Sequence, residues 1–265
     1  MSPDPDLLAA VLDLIDGRLP DHSGLFVLGV SGSQGSGKST LAEAVVAELR
    51  ERGLASEVLS IDDLYLSSAA RRQLAAVLHP LMATRGVPGT HDVDLGLSVL
   101  AKLDADEPAR LPRFDKASDE PRDRAEWPKV SSLKVLVFEG WCVGASPQPR
   151  AMLADPVNAL EEEEDSDGAW RSYVNAQLGS AYQDLFARID AQIFLAAPDF
   201  SIVKDWRLQQ ERDIAGQGSA VMNQAGIARF VQFYQRLTEW MIEDMPDRAD
   251  LTARLDRNRR VLSVT

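Results

Sequence analysis

A chain of 265 residues suffices for one large α/β domain or two small ones, and 45% apolar with 26% charged residues is the balance of an ordinary globular protein. The formal net charge of −13 argues against nucleic acid or an anionic membrane as partner, because both select for basic surface. A single cysteine, Cys142, excludes an internal disulfide framework and a thiolate-rich metal site.

Residues 1–20 are acidic and lack the basic start and apolar stretch of a signal peptide, and no apolar run approaches the ~20 residues of a membrane span. A cytoplasmic protein is expected. Leu7, Leu8, Val11, Leu12, Leu14, Ile15 and Leu19 recur at helical spacing and predict a helix over 7–19, with Asp6 as its N-cap. Residues 25–30 form a continuous apolar run that reads as a buried strand, followed by a glycine-rich turn and a helix over 39–52 that stops at Gly53. A second strand is predicted at 58–61 and ends in Asp62-Asp63.

Residues 67–78 read as helix, 79–91 as a Pro/Gly loop and 93–103 as a short helix. The stretch 105–130 has no steady period and reads as an ordered substrate loop or hairpin. Residues 133–138 make a third strand. Residues 144–168 read as a loop whose acidic run Glu161 to Asp165 is a solvated surface rather than a metal site. A helix over 170–188, a strand at 191–196, helices at 199–215 and 224–242 and a last strand at 260–264 complete the chain. Strands alternating with helices predict a mostly parallel sheet covered on both faces, with ligands beyond the carboxyl ends of the strands.

The motifs fall at those ends. Gly32-Ser33-Gln34-Gly35-Ser36-Gly37-Lys38-Ser39 matches G-x-x-x-x-G-K-[ST], and Thr40 continues it into the helix. Glycines let successive backbone N–H groups curl round a phosphate, and the helix N-terminus points its positive end at the same anion. Lys38 would reach the β and γ phosphates of ATP and the Ser39 hydroxyl would ligate Mg²⁺. Asp62 can face the γ-phosphate and accept the proton of an acceptor hydroxyl; the competing reading is that the Asp pair merely caps the next helix. Glu139, at the end of the third strand, can hold the water shell of Mg²⁺. Lys204, Arg207 and Arg212 lie on one predicted helix where a lid supplies charge to a transferring phosphate, although ordinary surface pairing of Arg207 with Glu211 competes. A GTPase reading fails, since no Asn-Lys-x-Asp occurs and the third strand is not followed by Asp-x-x-Gly.

Taken together, Gly32 to Ser39, Ser60-Ile61-Asp62-Asp63-Leu64-Tyr65, Arg85-Gly86-x-Pro88-Gly89-Thr90-His91-Asp92, Leu111-Pro112-Arg113-Phe114-Asp115-Lys116, Phe138-Glu139-Gly140-Trp141 and Trp206-Arg207-Leu208-Gln209-x-Glu211 resemble, in this order, the D-glycerate 3-kinase family. That family is similar to the uridine kinase, pantothenate kinase and phosphoribulokinase group. The resemblance covers about residues 25–262. It implies one α/β domain of the P-loop NTPase fold over 1–265, with a helical lid. Within it stand an N-terminal helix in 1–24, an acceptor-binding insertion at 79–130, and the lid with C-terminal helices at 199–242.

Carried over by position, Lys38 and Ser39 serve ATP and Mg²⁺, Asp62 is the catalytic base and Glu139 the acid beside Mg²⁺. Tyr65, Arg85, His91, Asp92, Arg113 and Asp115 face the acceptor, while Arg207 and Arg212 belong to the lid. Arg85 and Arg113 would grip a carboxylate in two-pronged fashion, which suits D-glycerate. The segments around 161–165 and 216–220 depart from the family pattern. The alternatives are a kinase of a pantothenate- or uridine-type acceptor, or a non-catalytic ATP-binding regulatory protein. A monomer or weak homodimer acting on a small molecule is expected.

Overall fold

The computed structural model describes residues 2–215 and 224–265, the side chains of 210–215 excepted. Helix α1 (Pro5–Arg18) starts two residues earlier than its periodicity implies. Asp4, not Asp6, caps it, accepting from the N–H groups of Asp6 and Leu7. Strand β1 (Phe26–Gly32), helix α2 (Lys38–Glu51) and strand β2 (Ser56–Ser60) follow, then helices α3 (Ser68–Val77) and α4 (Val93–Asp104).

The stretch 105–130 folds as two small antiparallel ribbons. Strand β3 (Ala109–Arg110) pairs with β6 (Lys129–Val130), and inside that ribbon β4 (Phe114–Asp115) pairs with β5 (Glu120–Pro121). Strand β7 (Val135–Gly140) leads to helices α5 (Ala159–Glu164), α6 (Ala169–Leu178) and α7 (Ala181–Phe186). Strand β8 (Ala191–Ala196), helices α8 (Ser201–Ala215) and α9 (Gln224–Asp244) and the hairpin β9 (Leu251–Leu255) with β10 (Val261–Val264) finish the chain.

The sheet runs β10-β9-β8-β1-β7-β2 and is parallel throughout except for β10. Side chains alternate across it. Val135 and Val137 join Phe26, Leu28 and Val30 against α1 and α2, whereas Leu136 and Phe138 join Val27 and Leu59 against the helices of the other face. This is the α/β architecture of P-loop kinases. Register sets Val30, Glu139 and Ser60 level on β1, β7 and β2, so the loops leaving these strands share one rim.

Three expectations need correction. The acidic run is not a solvated loop: residues 159–164 form α5, and Glu161 is fully buried with both carboxylate oxygens on Arg236 (Oε1 to Nε 2.8 Å, Oε2 to Nη2 2.6 Å). Asp165, also buried, accepts from the Arg171 guanidinium at 2.9 Å and caps α6 through the N–H groups of Trp170 and Arg171. The helix read over 170–188 is two helices, broken at Gly179-Ser180. Strand β9 went unread because it is only five residues long and sits between charged turns. Among the described residues, no helix is long and apolar enough to cross a membrane.

Candidate active site

At the rim of β1 the chain turns through Ser33–Gly37 into α2. Gly35 and Gly37 adopt φ of +77° and +97°, and a Cβ on Gly35 would lie 2.8 Å from the Cβ of Trp206. Glycine is required at both points for shape. Trp206, buried on α8, is the floor of this turn. Arg259, from the β9–β10 turn, stacks over its ring at 5.4 Å and donates to the Gly35 carbonyl at 2.6 Å.

The turn opens into a cavity of about 130 Å³ bordered by Gln34, Gly35, Lys38, Ser39, Ser60, Asp62, Tyr65, Arg85, Lys116, Glu139, Gly140, Trp141, Arg207, Phe230 and Tyr234. Lys38 and Asp62, 24 positions apart in sequence, meet here. A larger cavity of about 530 Å³ lies between α4 and the β3–β6 ribbon, but it contains none of the motif residues. The smaller one gathers the motif residues.

Glu139 is buried. Its Oε1 accepts from the Ser39 hydroxyl at 3.2 Å, and its Oε2 has no hydrogen-bond partner among the described residues. A buried carboxylate oxygen left without a donor is costly unless a cation or water completes it. Glu139 and Ser39 therefore fit a hydrated Mg²⁺, an ion usually held by one or two protein oxygens plus phosphate. The glycine turn, the N-terminus of α2 and Lys38 fit a phosphate chain.

Asp62 leaves β2 in a single 3-10 turn that begins at Ser60, whose hydroxyl accepts from the Asp62 N–H at 3.3 Å. Its Oδ1 accepts from the Tyr65 hydroxyl at 2.8 Å and its Oδ2 from Lys116 Nζ at 2.6 Å. Burial alone would raise this carboxyl, but the Lys116 ammonium, the Tyr65 hydrogen bond and the charge of Lys38 outweigh it and hold it far below the usual carboxylate range. Asp63 points elsewhere, taking the Phe114 N–H at 3.0 Å and Arg113 at 3.4 Å. The pair does not cap α3, whose N-cap is Ser67.

The residues expected to face the acceptor divide. Tyr65 and Arg85 border the cavity. Arg113 does not; it binds Asp63 and the Pro112 carbonyl, fastening the insertion to β2. His91 is buried beneath Tyr65, stacked on it at 4.6 Å with Nδ1 2.6 Å from the Tyr182 hydroxyl, and burial pushes its imidazole down to about 4. Asp92 is the N-cap of α4, accepting from Leu95 N–H at 2.9 Å. Asp115 closes a local turn onto Ala117 N–H and the Ser118 hydroxyl. Gly32 and Ser33 lie behind the turn against β8, while Ser36, Gly37 and Thr40 face the start of α1. Arg207 borders the cavity and stacks over Phe230 at 5.2 Å. The Arg212 side chain and residues 216–220 lie outside those described. Cys142 is fully buried beside Trp141, and burial pushes its thiol up, as befits a core residue.

Sequence reasoning passed over four contributors. Lys116 stood inside a quoted motif, but its partner lies 54 positions away. Phe230 and Tyr234 come from α9, where an aromatic pair four apart reads as ordinary core. Arg259 carried no signal at all.

Residues 3–69 match the family described as methylmalonyl-CoA mutase-associated GTPase MeaB, a stretch limited to α1, β1, the glycine turn, α2, β2 and the first residues beyond. The uncharacterized kinase mug58 of Schizosaccharomyces pombe is 35% identical over 219 residues, which cover 79% of this chain and 78% of that protein. The chloroplastic D-glycerate 3-kinase of Arabidopsis thaliana is 33% identical over 219 residues, covering 78% of this chain but 46% of the longer plant protein. The solved structure of D-glycerate 3-kinase from Cryptococcus neoformans var. grubii superposes with a TM-score of 0.82 at 25% identity, covering 99% of both chains. With relatives aligned across so much of its length and a phosphate turn facing a carboxylate across one cavity, this chain belongs to the D-glycerate 3-kinase family of P-loop kinases and is a small-molecule kinase, a phosphotransferase with an alcohol group as acceptor.

Proposed function

We propose that the protein transfers the γ-phosphate of ATP to a hydroxyl of D-glycerate, with Mg²⁺ as the metal. The observation that carries this reading is the meeting of Lys38, Asp62 and Arg85 around one cavity. Bound Mg-ATP supplies the phosphoryl group and neutralises part of its charge. Lys38 and Arg207 place positive charge on the cavity that would receive the phosphates, and Ser39 and Glu139 would hold Mg²⁺.

Asp62 orients the acceptor hydroxyl. As the new P–O bond forms and the bond to the ADP oxygen breaks, the hydroxyl proton passes to Asp62. A loose transition state, in which the proton leaves late, asks little basicity of Asp62. Arg85 offers its guanidinium to the acceptor's carboxylate. Arg85, although paired with Asp119, borders the cavity, whereas Arg113 does not.

A coupled assay offering D-glycerate, pantothenate, uridine and ribulose 5-phosphate tests this. D-glycerate should be turned over with the highest kcat/KM. Turnover of another acceptor without D-glycerate would refute the proposal.

A further inference from the structure

The hairpin joining β4 to β5 carries Lys116 over the cavity, where its ammonium occupies one oxygen of Asp62 while Tyr65 occupies the other. An incoming hydroxyl therefore meets a carboxylate already engaged on both oxygens. The backbone of this hairpin is fastened at several points. Asp119, a non-glycine residue at φ +61°, pairs with the buried Arg71 and with Arg85. Glu120 takes the Ser68 hydroxyl, and Phe114 donates to Asp63 at 3.0 Å.

Lys116 itself is different. Its side chain is 61% exposed, and its ammonium pairs with Asp62 alone among the described residues. A flexible, largely exposed amine exchanges one carboxylate for another at little cost. Arg85 borders the same cavity, with its guanidinium 3.4 Å from the Lys116 carbonyl.

We propose that Lys116 is a specificity-determining residue that guards Asp62 when the acceptor site is empty and moves to the acceptor's own carboxylate when an anionic alcohol enters. The acceptor class is thus a small hydroxylated carboxylate, held between Lys116 and Arg85. Its arrival uncovers Asp62 for its hydroxyl. A neutral alcohol has no anion to exchange for the amine, so Asp62 stays covered. This inference rests on Asp62 being the group that takes the hydroxyl proton.

The titration of Asp62 gives a second readout. Lys116, Tyr65 and Lys38 face it and lower it; burial opposes them, and the neighbouring His91, Tyr234 and Cys142 are neutral at pH 7. Removing Lys116 takes away the strongest of the lowering groups and leaves the burial.

The experiment compares the wild type, Lys116→Met and Lys116→Arg on D-glycerate and on glycerol, which keeps the hydroxyls but lacks the carboxylate. In Lys116→Met, kcat/KM for D-glycerate should fall by about 10²-fold, chiefly through KM, while glycerol turnover holds or rises. On kcat/KM, which reports the enzyme before the acceptor binds, the acid limb of Lys116→Met should lie at a higher pH than that of the wild type, and Lys116→Arg should recover most of the D-glycerate activity. Equal losses on both acceptors, or an unmoved acid limb, would overturn the guard role. If the wild type uses pantothenate instead, the glycerate reading alone fails, and the variants are then judged on that acceptor against pantothenol. Turnover of uridine or ribulose 5-phosphate alone would sink both.

Discussion

The buried pair of Glu161 and Arg236 offers a sharp test of how this fold is held. Replacing Glu161 with Ala removes two charge-assisted hydrogen bonds, at 2.8 and 2.6 Å, and a third from the Val157 N–H at 3.1 Å. Arg236 would keep only the Met152 and Asp155 carbonyls while remaining buried. Leaving one partner of a buried pair uncompensated costs about 3–5 kcal/mol. Against a total stability of about 5–15 kcal/mol this is a large fraction. Spread over the unfolding entropy of a chain this size, it lowers Tm by roughly 7 °C. Urea unfolding of Glu161→Ala and of the neighbouring Glu163→Ala measures it directly. Glu163 is exposed and its substitution should stay within about 0.5 kcal/mol. A loss below about 1 kcal/mol for Glu161→Ala would refute the reasoning, because that is the behaviour of a solvated acidic surface.

Asp62→Asn should lower kcat by about 10²- to 10⁴-fold while nucleotide affinity holds, as read by steady-state rates and calorimetric ATP binding; unchanged turnover would remove Asp62 from the chemistry. Glu139→Gln should raise the free Mg²⁺ needed for half-maximal rate by about tenfold, measured by Mg²⁺ titration at fixed ATP, since the orphaned Oε2 loses its charge. His91 titrates at about 4 in the folded state against 6.5 unfolded. Below pH 6.5 the unfolded chain takes up a proton that the folded one refuses until about pH 4, so stability falls as pH drops through this window. The fall attributable to His91 is about 3 kcal/mol, and urea midpoints of His91→Gln between pH 7 and pH 4.5 should lack it.

Short-range chemistry made much of the protein legible. The glycine turn, Lys38 and Ser39 declare themselves within eight residues because phosphate binding is done by consecutive backbone groups and one helix N-terminus. Strands β1, β7 and β8 are read from continuous apolar runs, since a parallel sheet buries both of its faces. Asp62 and Glu139 follow as acids at strand ends. The acceptor side was not legible in the same way. Arg113, His91, Asp92 and Asp115 have the residue types of a substrate site, yet they are spent on Asp63, Tyr182, a helix cap and a local turn. Lys116, Tyr234 and Arg259 reach the site across long stretches of chain, and no local pattern announces such a meeting.

The acidic run shows the same limit. Glu161 to Asp165 has the composition of solvated surface, and only the approach of α9 and α6 brings Arg236 and Arg171 to bury two of its members. By itself, the order of residues determined the phosphate turn, the strand ends and the α/β class, because those depend on neighbours within a turn or a strand. Which charges pair, and therefore which of them remain available to an acceptor, was decided only when the sheet, the β4–β5 hairpin and the late helices converged, since electrostatic partnership depends on distance in space and on burial rather than on separation along the chain.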